Sequence, residues 1–403
     1  MRTSPASAAP ISDNRKRFLP EQRHPNAELI QGQPHRPAPY NAALTPVFSV
    51  LQPHVLARDR LIQWKPLASR DTVDEQGRST NLTSADLSRI LDVMSLGWGE
   101  NTLEVYGSGL LIFHVFCDQK QIPEDQQAPA SPLLIALFIS TIAGAYSGST
   151  IANYLYGVRA WHVLHGVSWQ MNTAELETLL KAAEKTAPAS LKRKKRRPYT
   201  KDFMCAILQH LDVSTPLHAA FYACLTTTFW STARLGEFTV KNLTTFKPEI
   251  RVKPSDVTST TDQNGFETTE FFIPLTKAEP IAGETVSWSE QHGQTDPKAA
   301  FQNHLTVNNP PRKGPLFAYK CGSISKALTK SKFLQVLTIA AKAAGLDPLQ
   351  GHGIRIGSTL EYLMRGTPFD VMKVKGRWAS DAFLTYLRKH AQILAPYMQA
   401  DPP

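Results

Sequence analysis

The sequence predicts a mainly α chain: a small all-helical domain, then a mixed α+β domain with a small β-hairpin or sheet. Three observations predict it. Apolar residues recur at helical spacing from Thr83 to about Glu184, again from Thr200 to Trp230, and once more from Ile324 onward. Between the last two blocks the helical period stops, and two short aromatic and β-branched runs, Phe271–Leu275 and Thr285–Trp288, flank Ile281-Ala-Gly-Glu284. Six consecutive bases, Lys192 to Arg197, closed by Pro198, separate the helical domain from the mixed one.

Residues 1–80 are rich in Pro, Ala, Gln and Asn and show neither period. They are expected to be a disordered, mildly basic tail. Thr83 and Asp86 can cap a first helix carrying Leu87, Ile90, Leu91 and Met94. A second starts near Asn101 and carries Leu103, Tyr106, Leu110, Phe113 and Phe116. Ser131-Pro132 opens a third, with proline at the first helical position. Ser149 is expected to cap a fourth, which ends at Gly166, and a fifth spans Thr173 to about Glu184. The domain boundaries are therefore 81–188 for the helical domain, 189–198 for a basic linker and 199–403 for the second domain.

In that second domain Thr200 opens one helix and Pro216 another, which runs through Trp230. Val257–Gly265 is a polar loop before the hairpin. Beyond Leu316-Phe317 the sequence predicts a helix over Ile324–Ala344 closed by Gly345, and another over Gly353–Arg365 closed by Gly366. A short helix runs from Thr367-Pro368 to about Val374, and a last one spans Asp381–Lys389 behind Ser380.

Composition narrows the function. Lysine plus arginine number 44 against 34 acidic residues, a formal charge of +10 over 403 residues. Such a surplus favours a polyanionic partner. The four cysteines, Cys117, Cys205, Cys224 and Cys321, form no C-x-x-C, which argues against a disulfide framework and a cysteine zinc site. The N-terminus lacks the apolar core of a secretory signal, and the strongly apolar stretch Leu133–Ala143 is too short to span a bilayer. An intracellular protein without a membrane partner is expected. The run Lys192, Arg193, Lys194, Lys195, Arg196 and Arg197 is compatible with a solvated linker, with phosphate contact and with a nuclear import signal.

Four places can carry chemistry. His352 and Arg355, three residues apart, share one helix face, where an imidazole and a guanidinium could bind a phosphate and move a proton. Arg234 comes just after a long apolar helix and must have its charge matched. Glu237 can do so as a simple i,i+3 pair, or can hold the guanidinium fork toward phosphate oxygens. Lys277 sits at the turn of the hairpin, as a solubilising residue or as a proton donor delivered by the hairpin tip. Trp378 and Tyr386 lie eight residues apart, and Tyr386 is offset from the stripe of Phe383 and Leu387. Each of these is bland alone.

Their order is distinctive: arginine, hairpin lysine, His-x-x-Arg, Gly-x-Trp, tyrosine. It resembles the tyrosine recombinases, the phage-integrase family, over about 300 residues from Thr83 onward. TARLGEF at 232–238 resembles the family's first arginine motif. LQGHGIRIGSTLEYLMRGTPFDVMKVKGRWASDAFLTYLR at 349–388 resembles the second block. TLEVYGSGLLIFHVFC and GSTIANYLYGVRAWHVLHG are similar to its core-binding domain. Tryptophan before SDAF resembles eukaryotic mobile-element members, of Crypton or retroelement type. Two departures are plain: tryptophan stands where most bacterial members carry histidine, and the gap to Tyr386 is one shorter than the commonest spacing.

The resemblance implies a helical, SAM-like core-binding domain, then an integrase-type catalytic domain. It implies Tyr386 as nucleophile, His352 as base or proton positioner, Arg234 and Arg355 as phosphate clamps, Lys277 as general acid and Trp378 as a hydrogen-bond donor, with Glu237 supporting. The basic run and Ser149 would contact duplex DNA, and the assembly would be a homotetramer on paired sites. No metal or other cofactor is implied. A DNA-binding relic that no longer cuts, and strand relaxation of the type IB topoisomerase kind, are the alternative functions.

Overall fold

The structure, a computed structural model, describes residues 37–73, 77–191, 196–244, 246–276, 278–380, 384 and 393–399. The chain divides into two compact units, Met1–Arg193 and Lys194–Pro403, inside the basic run.

The N-terminal unit holds α1 (Arg60–Gln63), α2 (Ser84–Ser95), α3 (Glu100–Gln119), α4 (Glu124–Gln127), α5 (Pro132–Ile142), α6 (Gly148–His165) and α7 (Thr173–Thr186). The Thr83 hydroxyl accepts the Asp86 amide while the Asp86 carboxylate accepts the Thr83 amide, so α2 begins with the expected capping box. Ser131 caps α5 through the Leu134 amide, with Pro132 at its first position. The cap of α6 differs from the expected one. Ser147 accepts the Thr150 amide, and Ser149 is an exposed first-turn residue whose hydroxyl bonds Ser147. The two serines flank Gly148, and sequence alone does not separate them.

Helices α3 and α6 cross closely because each gives up a side chain. A Cβ on Gly109 would lie 2.4 Å from the Tyr154 Cα, and one on Gly157 would lie 2.4 Å from the Tyr106 carbonyl. Phe113, Phe138, Leu155 and Trp161 fill the core around this crossing.

The unstructured tail expected through residue 80 does not hold for residues 37–73. That segment lies on α3 and α6, with Leu61 and Trp64 fully buried. The Trp64 indole donates to the Pro53 carbonyl at 2.8 Å, and the Trp161 indole donates to the Trp64 carbonyl at 2.7 Å. Two anchors and an irregular backbone leave no periodic trace, which is why composition misled. Residues 1–36 lie outside the described residues.

Among the described residues of this unit three histidines are buried: His114, His162 and His165. Edge-on rings of Trp64, Phe113 and Trp161 surround His114. His162 Nδ1 donates to the Val158 carbonyl at 2.9 Å and its Nε2 accepts the Ala130 amide at 3.0 Å, an arrangement only the neutral ring can make. His165 donates from Nε2 to the Leu61 carbonyl at 2.9 Å. Burial pushes His114 down to about 3 and His162 down to about 4, and lowers His165 as well. In the unfolded chain each ring titrates near 6.5, so unfolding takes up protons below that pH. The stability these rings contribute is complete above about pH 6.5 and is lost as pH falls toward 4. For His114 and His162 the slope is about 1.4 kcal/mol per pH unit each, and His165 acts in the same direction. Amide exchange of α3 and α6, corrected for intrinsic rates, should therefore lose protection steadily between those pH values. A flat protection profile would contradict this account.

The C-terminal unit holds α8 (Lys201–Leu208), α9 (Pro216–Trp230), α10 (Leu235–Phe238), β1 (Val257–Thr261), β2 (Glu267–Ile273), β3 (Glu284–Trp288), α11 (Pro297–Asn308), β4 (Tyr319–Cys321), β5 (Ile324–Lys326), α12 (Lys330–Ala343), α13 (His352–Met364) and α14 (Phe369–Lys375). Helix α9 is buried on every side from Ala219 to Trp230, which places it at the centre of the unit. Strands β1, β2 and β3 form an antiparallel sheet in that order, with Val257 opposite Phe271 and Ile273 opposite Glu284. Phe271 and Phe301 join the sheet to α11.

Three expectations change here. Residues 257–261, expected as loop, are an edge strand whose Thr and Ser side chains alternate with nothing apolar. Ile324–Lys326, expected as helix, pairs with Tyr319–Cys321, and the helix starts at Lys330 behind a Thr329 cap. Helix α11 has no counterpart among the expected elements. The final helix expected over Asp381–Lys389 falls largely outside the described residues. No described helix is long and apolar enough to cross a membrane.

Candidate active site

Helix α9 stops at Trp230, and Thr232 turns the chain with a φ of 54°. The Thr232 hydroxyl bonds that of Ser358 at 2.8 Å, which fixes the turn against α13. Arg234 comes next in extended conformation, just before α10. On the facing element, α13 opens with His352 and carries Arg355 one turn later. A Cβ on Gly357 would lie 2.1 Å from the Tyr199 carbonyl, so only glycine lets α13 rest on that backbone.

Arg234, His352 and Arg355 line one cleft of about 130 Å³, together with Lys330, Ala233, Leu235, Gly236 and Gly351. Burial lowers the His352 pKa, and the positive charges of Arg196, Arg355, Arg234 and Lys330 lower it further. The cleft thus presents a neutral imidazole amid cations. An anion entering it would meet guanidinium and ammonium donors, and would itself make the ring easier to protonate.

Arg355 is held on two sides. Its Nη2 donates to the Gly376 carbonyl, and its guanidinium carbon lies 4.4 Å from the centre of the Trp378 ring. Trp378 therefore stacks its ring face on Arg355, a contact that supports the guanidinium plane.

Glu237 makes the i,i+3 pair that the sequence allowed. Its Oε1 accepts Arg234 Nη1 at 3.0 Å and its Oε2 accepts the Arg234 amide at 2.8 Å. The same carboxylate reaches a second arginine, since Arg377 Nη2 donates to Oε2 at 2.7 Å. Burial raises the Glu237 pKa, but Arg377 and the Arg234 contacts outweigh it and hold the carboxyl below its ordinary value.

Lys277 and Tyr386 lie outside the described residues, as do Lys192, Arg193, Lys194 and Lys195. Arg196 donates from Nε to Gln350 at 3.1 Å, and Arg197 pairs with Asp347. Arg196 is thus close enough to act on His352, while Arg197 is engaged with a carboxylate. Ser149 belongs to the N-terminal unit and is not part of the cleft. Tyr362 is committed elsewhere: its hydroxyl donates to the Trp230 carbonyl at 2.8 Å, and burial pushes its pKa up to about 12.

Sequence reasoning missed Lys330, Arg377 and Glu284. Lys330 is one of many lysines, and only the fold brings the start of α12 to the cleft. For Arg377 the sequence showed only a base between Gly376 and Trp378, with Asp381 four residues on as the local partner it suggests, and nothing pointed to Glu237 or Glu284.

No protein-family model and no curated protein matches the chain. Solved structures do. XerH site-specific recombinase bound to palindromic difH substrate, in a post-cleavage complex, aligns at 13% identity over 85% of this chain and 94% of that one, with a TM-score of 0.51. A lambda integrase dimer bound to a COC′ core site aligns at 17% identity over 75% of this chain and 94% of that one, with a TM-score of 0.43. A FLP recombinase–Holliday junction complex aligns at 13% identity over 78% and 82%, with a TM-score of 0.32. The likeness to the XerH recombinase shows the fold: a mainly α chain with a small antiparallel sheet.

Proposed function

We propose that this chain is a site-specific DNA recombinase that cuts and rejoins duplex DNA through a 3′-phosphotyrosyl intermediate. The observation that carries the reading is the cleft in which Arg234, Arg355 and Lys330 surround a neutral His352. That set suits a phosphodiester, whose charge grows in the transition state and whose attack requires a proton acceptor.

In the reaction the Tyr386 oxygen attacks phosphorus and its proton passes to His352. The bond from phosphorus to the 5′ oxygen breaks, and Lys277 protonates that oxygen. Arg234 and Arg355 hold the non-bridging oxygens, and Lys330 adds charge at the mouth. The ester between Tyr386 and the 3′ phosphate keeps the energy of the broken bond, so a second 5′ hydroxyl can reverse the step on another strand. Side-chain cations supply the charge that magnesium supplies in many nucleases. Duplex DNA is the partner, with the bases at 192–197 on its phosphates, and the assembly is a tetramer on two paired sites in the nucleus.

The test is a suicide substrate. Nicked duplexes from the flanks of the gene are incubated with the full chain in EDTA and run on a denaturing gel. A slow-migrating protein–DNA adduct is expected. Binding without adduct on every flank would sink the cutting reading and leave a DNA-binding relic.

A further inference from the structure

Arg377 is a buried base held in an unusual way. Its φ is 55°, a left-handed conformation that arginine rarely adopts. Its side chain is 8% exposed and lies between two carboxylates. One nitrogen donates to Glu237 at 2.7 Å and the other to Glu284 at 3.1 Å. Glu284 opens β3 and also accepts the Thr276 hydroxyl. A ladder of alternating charge thus runs from Arg234 through Glu237 and Arg377 to Glu284, and it joins α10, the turn after α14 and the sheet.

Glu237 is the rung that matters. A buried carboxylate shared with Arg234 alone would cancel much of that charge at the cleft and could turn about its own side chain. Arg377 fixes the second oxygen and supplies a second cation, so the carboxylate stays ionised and stationary. Its Oε1 then presents Arg234 at a set angle. The left-handed backbone at 377 is what brings the guanidinium between Glu237 and Glu284, and the two ion pairs in turn hold that backbone.

We propose that Arg377 is a positioning residue for phosphodiester cleavage, acting through Glu237 to aim Arg234 into the cleft. This rests on the recombinase reading. Arg377 would touch no substrate itself.

The experiment measures adduct formation on the nicked duplex and DNA affinity separately, with the full chain. Arg377→Gln should slow adduct formation about 100-fold and change the Kd for DNA by less than about 3-fold. Arg377→Lys, which keeps the charge and loses the fork, should recover part of the rate. In a Glu237→Gln background, Arg377→Gln should add less than about 3-fold, because the pathway is already cut. Equal losses in both backgrounds, or a loss of affinity that matches the loss of rate, would overturn the proposal. If Arg377→Gln does not fold, as judged by thermal melting, Glu284→Gln replaces it. It loosens Arg377 from the sheet side and should slow cleavage about 10-fold at unchanged affinity. Full activity of a folded Glu284→Gln and Arg377→Lys would also overturn it. A wild-type chain that forms no adduct sinks the recombinase reading and this proposal together. An active wild type with additive variants sinks this proposal alone.

Discussion

Tyr386→Phe will bind duplex DNA like the unaltered chain and form no covalent adduct. The substitution removes one oxygen, the atom that would become the ester, and leaves every phosphate-binding group in place. Tyr362 does not replace it readily. The Tyr362 hydroxyl is turned to the Trp230 carbonyl and its pKa is pushed up to about 12. Water attacking in its place would yield a nick without a protein adduct, which the same gel distinguishes. Filter binding gives the affinity, and denaturing electrophoresis gives the adduct. An adduct of undiminished yield would move the nucleophile to another residue.

Arg355→Ala should slow cleavage by about 1,000-fold, equivalent to about 4 kcal/mol of transition-state stabilisation. Affinity for DNA should change by no more than about 3-fold, because many phosphate contacts share the binding. The structure explains why the rate should suffer more. Arg355 is almost wholly buried, bonded to the Gly376 carbonyl and stacked on Trp378 at 4.4 Å, so its guanidinium is fixed before any anion arrives. Preorganised charge of this kind acts on the transition state rather than on encounter. Arg355→Lys keeps one charge without the planar fork or the stacking, and should remain slow. Single-turnover rates on the nicked duplex and binding isotherms check both variants. A loss confined to affinity would make Arg355 a simple phosphate anchor.

The helical frame was legible where the signal is local. The Thr83–Asp86 box, the Ser131-Pro132 start and the Gly166 stop are short-range chemistry, and each lies where expected. Helix α11 was not legible, because its inward positions include His304 and Asn308. These make tertiary hydrogen bonds, to the Leu316 carbonyl at 3.0 Å and the Pro216 carbonyl at 2.9 Å, and they break the apolar stripe. The edge strand β1 carries no apolar alternation, so nothing marked it. The candidate site divides the same way. The pairing of Arg234 with Glu237 and the shared helix face of His352 and Arg355 come from spacing. The meeting of Arg377 with Glu237 and Glu284 joins residues 140 and 93 positions apart, which only the fold can do.

The N-terminal unit begins well before its first long helix, and this bears on how the protein can be cut down. A fragment started at residue 81 would lack Leu61 and Trp64, and with Trp64 the carbonyl to which the Trp161 indole donates. It would also lose the Leu61 carbonyl that His165 bonds. Such a fragment exposes the faces of α3 and α6 that the segment covers, and becomes a sticky, partly unfolded body instead of a tidy domain. The smallest faithful version of this unit starts at residue 37 or earlier, and a tag or fusion partner belongs ahead of that point.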